Sequence, residues 1–270
     1  MGQRLKLGFI GTGMMGRSHL DITVKHFSEQ VEAAVLCDSN DGELKRAQSL
    51  APEAKRVTRW QDALNEKLDA VVIATPIFLH AEMALAALAQ GFHVLSEKAI
   101  AIKREDCLRM VQAAEKSSRL LMIGHELRYS RYFAEIKRIL DSGEIGTPRL
   151  VWCKEFRSRF HPKIDNWIQD RNRSGGALVD KNCHHFDLMN WWLGRRPTSV
   201  AAYGGTDAVH VLNTDDEIED NATVIVDYSR QARVTLLLCM MAPMGIPESL
   251  EFGIFGDRGF LQTTVSKHEI

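Results

Sequence analysis

Acidic side chains and a histidine recur at helical spacing between Gly175 and Gly194. Asp180 lies four residues before His184, and Asp187 lies three residues after it. On one continuous helix these spacings place the three polar groups on the same face. A histidine between carboxylates is oriented, has its pKa raised, and can exchange a proton near neutral pH. The segment therefore predicts one helix that carries an acid–base site at His184, supported by Asp180.

Three other interpretations of this segment remain open. His184 could be a core histidine whose hydrogen bonds Asp180 satisfies, and His185 could be the reactive ring instead. Asp180, His184 and Asp187 could also bind a divalent metal ion, because nitrogen and oxygen ligands on one helix face suit such an ion. We expect no metal, since no neighbouring group of acids and histidines supplies a clear further ligand.

The glycine-rich sequence Gly11-Thr12-Gly13-Met14-Met15-Gly16 predicts a binding site for a pyrophosphate. It follows the apolar run Leu5–Ile10, a predicted strand, and precedes a predicted helix. Gly11 permits a tight turn, Gly13 lets the backbone approach the phosphates, and Gly16 lets the helix pack close to the strand. The free N–H groups at the start of the helix then face the anion, so the pattern favours a dinucleotide.

Asp38 follows the second predicted strand, Val31–Cys37, and favours NAD as that dinucleotide. A carboxylate at this point accepts hydrogen bonds from the ribose hydroxyls and repels a 2′-phosphate. Lys45 and Arg46 lie close in sequence, so NADP is kept as the alternative cofactor. The other interpretation of Asp38 is an acid in an ordinary turn, because Asp-Ser-Asn-Asp is a turn-like sequence.

Strands and helices alternate through the first 125 residues. The pattern predicts strands over residues 68–74, 92–95 and 120–124, with helices over residues 80–90 and 103–117. Alternation of this kind predicts a doubly wound parallel sheet, the Rossmann fold of the α/β class, over residues 1–125. Ligands bind such sheets beyond the carboxyl ends of the strands. That rule selects Gly11–Gly16, Asp38, Thr75-Pro76 and Glu97-Lys98.

Thr75 and Pro76 are expected to pass under the cofactor, although a plain turn at the end of a strand explains them equally well. His80 begins the next predicted helix and, like Glu97, is a further candidate for cofactor contact.

Lys98 is the candidate in this half of the chain with the clearest chemistry. Beside a nicotinamide, its ammonium could bind a hydroxyl that is losing its proton, because a positive charge stabilises the developing oxyanion. Burial can also lower the pKa of a lysine enough for proton transfer. The alternative, weighed evenly, is an exposed loop lysine paired with Glu97.

Residues 126–270 predict a second domain with α+β organisation. A helix over residues 133–141 precedes a long strand over residues 149–157, and two hairpins follow near the end of the chain. Consecutive hairpins predict an open, mainly antiparallel sheet, whose solvated face could pack against another subunit. Candidates for substrate contact are Arg128, Lys154, Arg157, Trp167 and Arg171, each of which is at least as well explained by packing or surface exposure.

Composition excludes several classes of function. The chain has 270 residues, with 34 basic against 35 acidic side chains and a net charge of -1, which gives no electrostatic case for nucleic acid or an anionic membrane surface. Five cysteines without paired spacing predict reduced thiols in a cytoplasmic protein. We expect neither a signal peptide nor a membrane span, because the apolar runs are of strand length.

Taken together, Gly11–Gly16, Asp38, Ala74-Thr75-Pro76, Glu97-Lys98 and the block from Gly175 to Asp187 resemble the Gfo/Idh/MocA family, named for glucose–fructose oxidoreductase and inositol dehydrogenase. The resemblance covers nearly the whole chain, and the combination is more specific than any single motif. It implies an N-terminal Rossmann domain and a C-terminal α/β domain whose large open sheet often forms the dimer interface. It also implies oxidation of a hydroxyl of a sugar or cyclitol with NAD or NADP.

The resemblance further implies roles for individual residues. In the family, the lysine of a Glu-Lys-Pro motif binds the reacting hydroxyl; Lys98 matches it, with Ala99 in place of the proline. Asp180 and His184 match a family aspartate and histidine, with Asn182 in place of the usual glycine between them. The resemblance therefore implies that Lys98, Asp180 and His184 act together.

Asp187 matches a further acid of the same motif, and His185 becomes the second choice for the reactive ring; both are also candidates for substrate contact. The expected activity is that of an NAD(P)-dependent dehydrogenase acting on a CH–OH group of a sugar, cyclitol or related polyol. The alternatives are an NAD-dependent glycosidase of the same fold and a non-catalytic dinucleotide-binding sensor or regulator. Family members usually continue beyond Ile270, so a short natural variant or a truncated product is expected. A homodimer or homotetramer through the C-terminal sheet is expected from the family alone.

Overall fold

A computed structural model describes residues 4–229, 231–243, 245–246 and 248–266. For residues 264–266 it describes the backbone only. The chain divides after Gly124 into two compact units, here called the N-terminal and C-terminal units. Among the described residues, no helix combines the length and the apolar character that crossing a membrane requires.

The N-terminal unit is a six-stranded sheet in the order β3-β2-β1-β4-β5-β6, in which every pair of neighbours is parallel. The predicted doubly wound fold is therefore confirmed. Its strands are β1 (Leu5–Ile10), β2 (Val31–Cys37), β3 (Lys55–Val57), β4 (Ala70–Ile73), β5 (His93–Ser96) and β6 (Leu121–Ile123). Its helices are α1 (Met14–His26), α2 (Asp41–Gln48), α3 (Trp60–Leu64), α4 (His80–Ala89) and α5 (Arg104–Ser117).

Apolar side chains cover both faces of this sheet. Neighbouring residues of one strand, such as Phe9 and Ile10, belong to two different buried clusters, because successive side chains of a strand point to opposite faces. The same alternation separates Val72 from Ile73 in β4. Burial on both faces explains why these strands are unbroken apolar runs in the sequence.

The C-terminal unit is a second six-stranded sheet, in the order β12-β11-β7-β10-β9-β8. Its strands are β7 (Pro148–Phe156), β8 (Ser199–Gly205), β9 (Asn221–Tyr228), β10 (Ala232–Cys239), β11 (Ser249–Gly256) and β12 (Phe260–Ser266). Its helices are α6 (Arg131–Ser142), α7 (Arg171–Ser174), α8 (Ala177–Asp180) and α9 (Cys183–Leu193). The predicted mainly antiparallel sheet is confirmed, with one pair, β7 and β10, running parallel.

Helices α6 and α9 pack against one face of this second sheet. Phe252 of β11 is fully buried there, with its ring centroid 5.0 Å from that of Trp192 and 5.9 Å from that of Phe133. The opposite face, here called the outer face, carries exposed apolar side chains, namely Leu150, Tyr203, Ile225 and Phe255. The sheet therefore has one core face and one face open to solvent or to a partner.

The prediction of one continuous helix between Gly175 and Gly194 is wrong. Helix α8 ends at Asp180 and α9 begins at Cys183, so Asp180 and His184 lie on different helices. At the junction, the side-chain amide of Asn182 donates a 2.7 Å hydrogen bond to the buried carboxyl of Glu155. The backbone of Lys181 and Asn182 stays in the right-handed helical region, so the interruption is a short turn, and this bond ties that turn to a strand of the sheet.

We expect Phe252→Ala to destabilise the C-terminal unit by about 3–5 kcal/mol, because it removes the ring at the centre of an aromatic cluster and leaves a cavity. Urea unfolding followed by tryptophan fluorescence measures this, since four of the five tryptophans lie in that unit. Phe255→Ala, on the outer face of the same strand, is the control and should cost less than about 1 kcal/mol. Equal losses would contradict the assignment of the two faces.

Candidate functional site

The glycine-rich turn between β1 and α1 is closed by backbone contacts that only glycine permits. Gly11 has φ +86°, and a Cβ at this position would lie 2.6 Å from the carbonyl oxygen of Ala74. A Cβ on Gly16 would overlap the carbonyl oxygen of Gly11. Helix α1 begins at Met14, and its N-cap residue Gly13 offers no side-chain cap. The N–H groups of the first turn therefore lack intrahelical partners, as a site for a pyrophosphate requires.

Asp38 ties the end of β2 to this turn. Its Oδ2 accepts a 2.7 Å hydrogen bond from the Thr12 N–H and a 3.2 Å bond from the Thr12 hydroxyl, and its Oδ1 accepts a 2.9 Å bond from the Asn40 N–H. Asp38 is half-buried, and each carboxylate oxygen can accept further bonds. The residue thus stands where the ribose of a dinucleotide is expected.

The two basic residues that follow Asp38 in sequence, Lys45 and Arg46, pair with acids of their own helix. Lys45 lies 2.6 Å from Asp41, and Arg46 lies 2.5 Å from Glu43, both on the solvent side of α2. These pairings weaken the argument from sequence for a 2′-phosphate at this position.

The segment after β5 is anchored on both sides of Lys98. Glu97 is buried, and its Oε1 lies 2.8 Å from Nε2 of His19 in α1, while its Oε2 accepts a bond from the Lys98 N–H. Burial by itself raises the pKa of Glu97, but the hydrogen bond and charge of His19, together with Lys98, outweigh it and hold that pKa below its ordinary value. The Lys98–Ala99 peptide bond is cis. Lys98 itself is half-buried.

His80 occupies the other side of this segment. Its ring has no exposed surface, with Nδ1 2.8 Å from the carbonyl oxygen of Ala99 and Nε2 2.8 Å from that of Thr75. Burial lowers the pKa of His80, although both carbonyls and Glu97 act in the opposite direction. The structure thus gives His80 no surface for cofactor contact and uses its ring to join two backbone segments. The hydroxyl of Thr75 is turned toward the sulfur of Met83, at 3.6 Å.

His184, in the first turn of α9, is buried beside residues that sequence reasoning did not select. Its Nδ1 lies 3.6 Å from Oε2 of Glu126, and its ring packs edge-on against His125 at a centroid distance of 5.7 Å. Asp180 is also buried, at the end of α8. Glu126 and His125 fall in the turn before α6, far from His184 in sequence, so no spacing rule could have linked them to it.

Asp187 is held by an arginine. Nε and Nη2 of Arg128 donate to its two carboxylate oxygens at 2.6 and 2.5 Å, which raises the pKa of Arg128. The guanidinium also lies 5.8 Å from the ring centroid of Trp191. Two of the residues predicted for substrate contact, Arg128 and Asp187, are therefore brought together, and the expectation that Asp187 flanks His184 is replaced by this pair.

His185 is a core residue, which removes it as the alternative reactive ring. It is fully buried, its ring centroid lies 6.0 Å from that of Phe252, and its Nδ1 lies 2.8 Å from the side-chain nitrogen of Asn182. Burial, assisted by the charges of Lys181 and Arg157, lowers the pKa of His185 to about 3. The ring therefore stays neutral at ordinary pH and has no surface for a substrate.

The remaining predicted substrate residues have structural partners. Lys154 projects from the outer face, where it lies 3.2 Å from Glu251 and 4.6 Å from the ring centroid of Trp152, so the structure does not bring it to His184. Trp167 packs against the core of the C-terminal unit.

Models of two protein domains match this sequence. An "Oxidoreductase family, NAD-binding Rossmann fold" model matches residues 5–125, and a "GFO/IDH/MocA C-terminal domain" model matches residues 133–262. The chain belongs to the Gfo/Idh/MocA family. The resemblance inferred from the motifs is therefore confirmed over both units.

Individual members of the family share between about a fifth and a third of their aligned residues with this chain. Inositol 2-dehydrogenase of Salmonella paratyphi B is 32% identical over 202 residues, which cover 74% of this chain and 57% of that protein. The chain thus matches little more than half the length of this relative. Among solved structures, a WlbA dehydrogenase from Bordetella pertussis, in complex with NADH and UDP-GlcNAcA, is 25% identical with a TM-score of 0.86, covering 98% of this chain and 75% of that one. A myo-inositol 2-dehydrogenase from Lactobacillus plantarum, at 22% identity and a TM-score of 0.85, shares the fold over 97% of this chain and 76% of its own.

We expect Gly13→Ala to weaken NADH binding by about 10-fold while leaving the melting temperature unchanged. A Cβ on Gly13 meets no protein atom within 4 Å, so the fold tolerates it, but it occupies space through which the backbone approaches a pyrophosphate. Fluorescence titration with NADH and thermal denaturation measure the two quantities. In Gly16→Ala the new Cβ would overlap the Gly11 carbonyl oxygen, so this variant should also have a lower melting temperature. Wild-type affinity in Gly13→Ala would contradict the assignment of this turn.

We expect the C-terminal unit to lose stability as the pH falls from 6.5 toward 3. In this range His185 is protonated in the unfolded state, where its pKa is 6.5, but stays neutral in the folded state, where its pKa is about 3. This single proton contributes about 1.4 kcal/mol per pH unit to the slope. In His185→Gln, which cannot ionise, the free energy of unfolding should change with pH less steeply by that amount. His161→Gln, which alters an exposed histidine, should keep the wild-type slope. Identical slopes in both variants would contradict the buried neutral ring.

Proposed function

We propose that this chain is an NAD-dependent oxidoreductase that transfers a hydride between the nicotinamide and a hydroxyl-bearing carbon of a cyclitol, sugar or related polyol. Two features of this Gfo/Idh/MocA chain carry the proposal. One is the glycine turn after β1, whose backbone suits a pyrophosphate, and the other is Lys98 after β5, whose backbone N–H is bonded to Glu97. The bound nicotinamide supplies the hydride acceptor. The protein must supply the proton acceptor and the groups that hold the oxygen.

In this proposal Lys98 binds the reacting oxygen. The Glu97 carboxylate, kept ionised by its lowered pKa, is a fixed negative charge next to Lys98, whose ammonium can donate to an oxygen. The hydrogen bond from the Lys98 N–H to Glu97 restricts the backbone from which this side chain extends. A positive charge so held stabilises the oxygen as its proton leaves.

His184 takes that proton in the proposed reaction, and Asp180 supports it through charge. Glu126 adds a second carboxylate, whose Oε2 lies 3.6 Å from Nδ1 of the ring, where it can interact with the positive charge that the ring gains with the proton. The His184 ring is buried, which limits access of bulk water to the proton acceptor. These features suit a histidine that accepts a proton as hydride leaves the neighbouring carbon.

NAD is favoured over NADP by the pairing of the basic residues near Asp38. Lys45 and Arg46 are bound to Asp41 and Glu43, and the Asp38 carboxylate remains the charge that faces a ribose. A 2′-phosphate would be repelled by that carboxylate.

A neutral polyol is favoured over an anionic sugar acid by the state of the arginines. Arg128 is bound to both oxygens of Asp187, and Arg157 lies 3.4 Å from both Glu155 and Glu248. Arg171 donates to the carbonyl oxygen of Glu217. An anionic substrate would have to compete with these acceptors. The inositol 2-dehydrogenases among the relatives agree with a neutral cyclitol, whereas the WlbA dehydrogenase is in complex with UDP-GlcNAcA, so both classes of substrate belong in the test.

The outer face of the C-terminal sheet is the proposed site of association with a second copy of the chain, as a homodimer or homotetramer. It carries Tyr203 at 86% exposure on β8 and Ile225 at 48% on the neighbouring β9, with Leu150 and Phe255 exposed on β7 and β11. An apolar strip of this kind on an otherwise regular sheet favours contact with another protein surface.

We expect Lys98→Ala to lower turnover by at least about 100-fold, because it removes the charge that stabilises the oxyanion. The affinity for NADH should stay within about threefold of wild type, since the lysine is proposed to contact the substrate. Absorbance of the reduced nicotinamide, followed over a panel of inositols, sugars and a nucleotide-linked sugar acid, measures turnover. Lys103→Ala, five residues later and exposed, is the matched control. Unchanged turnover in Lys98→Ala would refute the assignment.

The double variant Lys98→Ala/His184→Ala tests whether both residues serve one step. If they do, the double variant is little worse than the more impaired single variant, because residues acting as a unit are not additive. The same panel separates the alternatives. A glycosidase gives no net reduced nicotinamide from a free sugar, and a sensor binds NADH without turning over any member of the panel.

A further inference from the structure

Lys98 lies between two residues that are each held by a histidine. On its amino side, Glu97 is bonded to His19, and on its carboxyl side, the carbonyl of Ala99 is bonded to His80. The two histidines come from α1 and α4, the helices that follow β1 and β4. The segment that carries the lysine is therefore fixed from both directions by side chains of other elements.

His19 contacts a side chain, whereas His80 contacts two backbone carbonyl oxygens. Its second nitrogen contacts the carbonyl oxygen of Thr75, at the end of β4, so one ring spans the ends of two neighbouring strands. Both contacts are 2.8 Å long, and both carbonyls are acceptors. A neutral ring donates one proton, so it satisfies one carbonyl at a time, whereas any aliphatic replacement would leave both without this donor.

From this geometry we infer that His80 is a positioning residue for Lys98. It acts through the Ala99 carbonyl and sets the distance between the end of β4 and the loop after β5. This inference rests on the proposed function, because placing Lys98 affects the reaction only if Lys98 binds the reacting oxygen. Since the His80 ring has no exposed surface, its effect on the reaction is indirect, through the placement of the ammonium.

The contact between His80 and the Ala99 carbonyl oxygen is buried, so its loss should affect the structure of the loop. The Ala99 side chain is also buried, so a carbonyl released from His80 has little access to water as a substitute partner. Leaving a buried acceptor unsatisfied carries the full cost of its desolvation, which favours a shifted loop. A shift of about 1 Å in a positioning group can cost on the order of 100-fold in rate.

The test compares His80→Leu with His80→Asn in the full chain. We expect His80→Leu to lower kcat by about 10- to 100-fold while the Kd for NADH stays within about threefold. His80→Asn, which keeps a donor near one carbonyl, should recover part of kcat. His93→Gln is the matched control, because His93 belongs to the opposite end of β5, where its Nδ1 accepts the Leu120 N–H. A wild-type kcat in His80→Leu, or equal losses in kcat and NADH affinity, would overturn the inference.

A second measurement does not depend on turnover. Amide hydrogen exchange should accelerate in residues 97–101 of His80→Leu, or of His80→Asn if the leucine variant does not fold, and not in the strands of the C-terminal unit. Unchanged exchange in residues 97–101 of a folded variant would overturn the positioning role. If the wild-type chain turns over no member of the substrate panel, the proposed function fails, and the exchange result still decides whether His80 holds the loop.

Discussion

All strands of a parallel sheet end at the same edge, and the N-terminal unit depends on this constraint. The turns that follow β1, β2, β4 and β5 are brought together there, and polar side chains join them. Asp38 is bonded to Thr12 and Glu97 to His19, and the His80 ring lies 2.8 Å from two backbone carbonyl oxygens, to one of which it donates at a time. Each bond crosses from one turn or helix to another, so the edge is a connected polar framework and not a set of independent loops.

The C-terminal unit meets a different constraint, because it places a charged residue inside its core. Glu155 is fully buried on β7, the strand between β10 and β11, and burial raises its pKa. Asn182 and Lys181, which form the junction between α8 and α9, both approach this carboxyl, at 2.7 and 3.6 Å. A buried acid requires such partners. The break between the two helices is thus tied to the centre of the sheet, and with it the positions of Asp180 and His184.

The carboxylates around the two candidate reactive residues are arranged differently in the two units. In the N-terminal unit the neighbouring acid, Glu97, adjoins Lys98 in sequence. In the C-terminal unit Glu126, whose Oε2 lies 3.6 Å from Nδ1 of His184, belongs to another segment, while Asp187 is bound to Arg128. Local proximity in sequence was therefore a sound guide for one residue and a poor one for the other.

The sequence by itself determined the Rossmann fold class of the first unit, its glycine turn and the position of Asp38, because each depends on local patterns: buried apolar runs, glycines with special backbone geometry and an acid at a strand end. It also indicated the two hairpins of the second unit. Only the tertiary structure decided the parallel pairing of β7 with β10, the break at Lys181 and Asn182, the burial of His80 and His185, and the partners His19 and Glu126. These features arise from contacts between segments far apart in the chain, and the periodicity of one segment carries no information about which distant side chain will meet it.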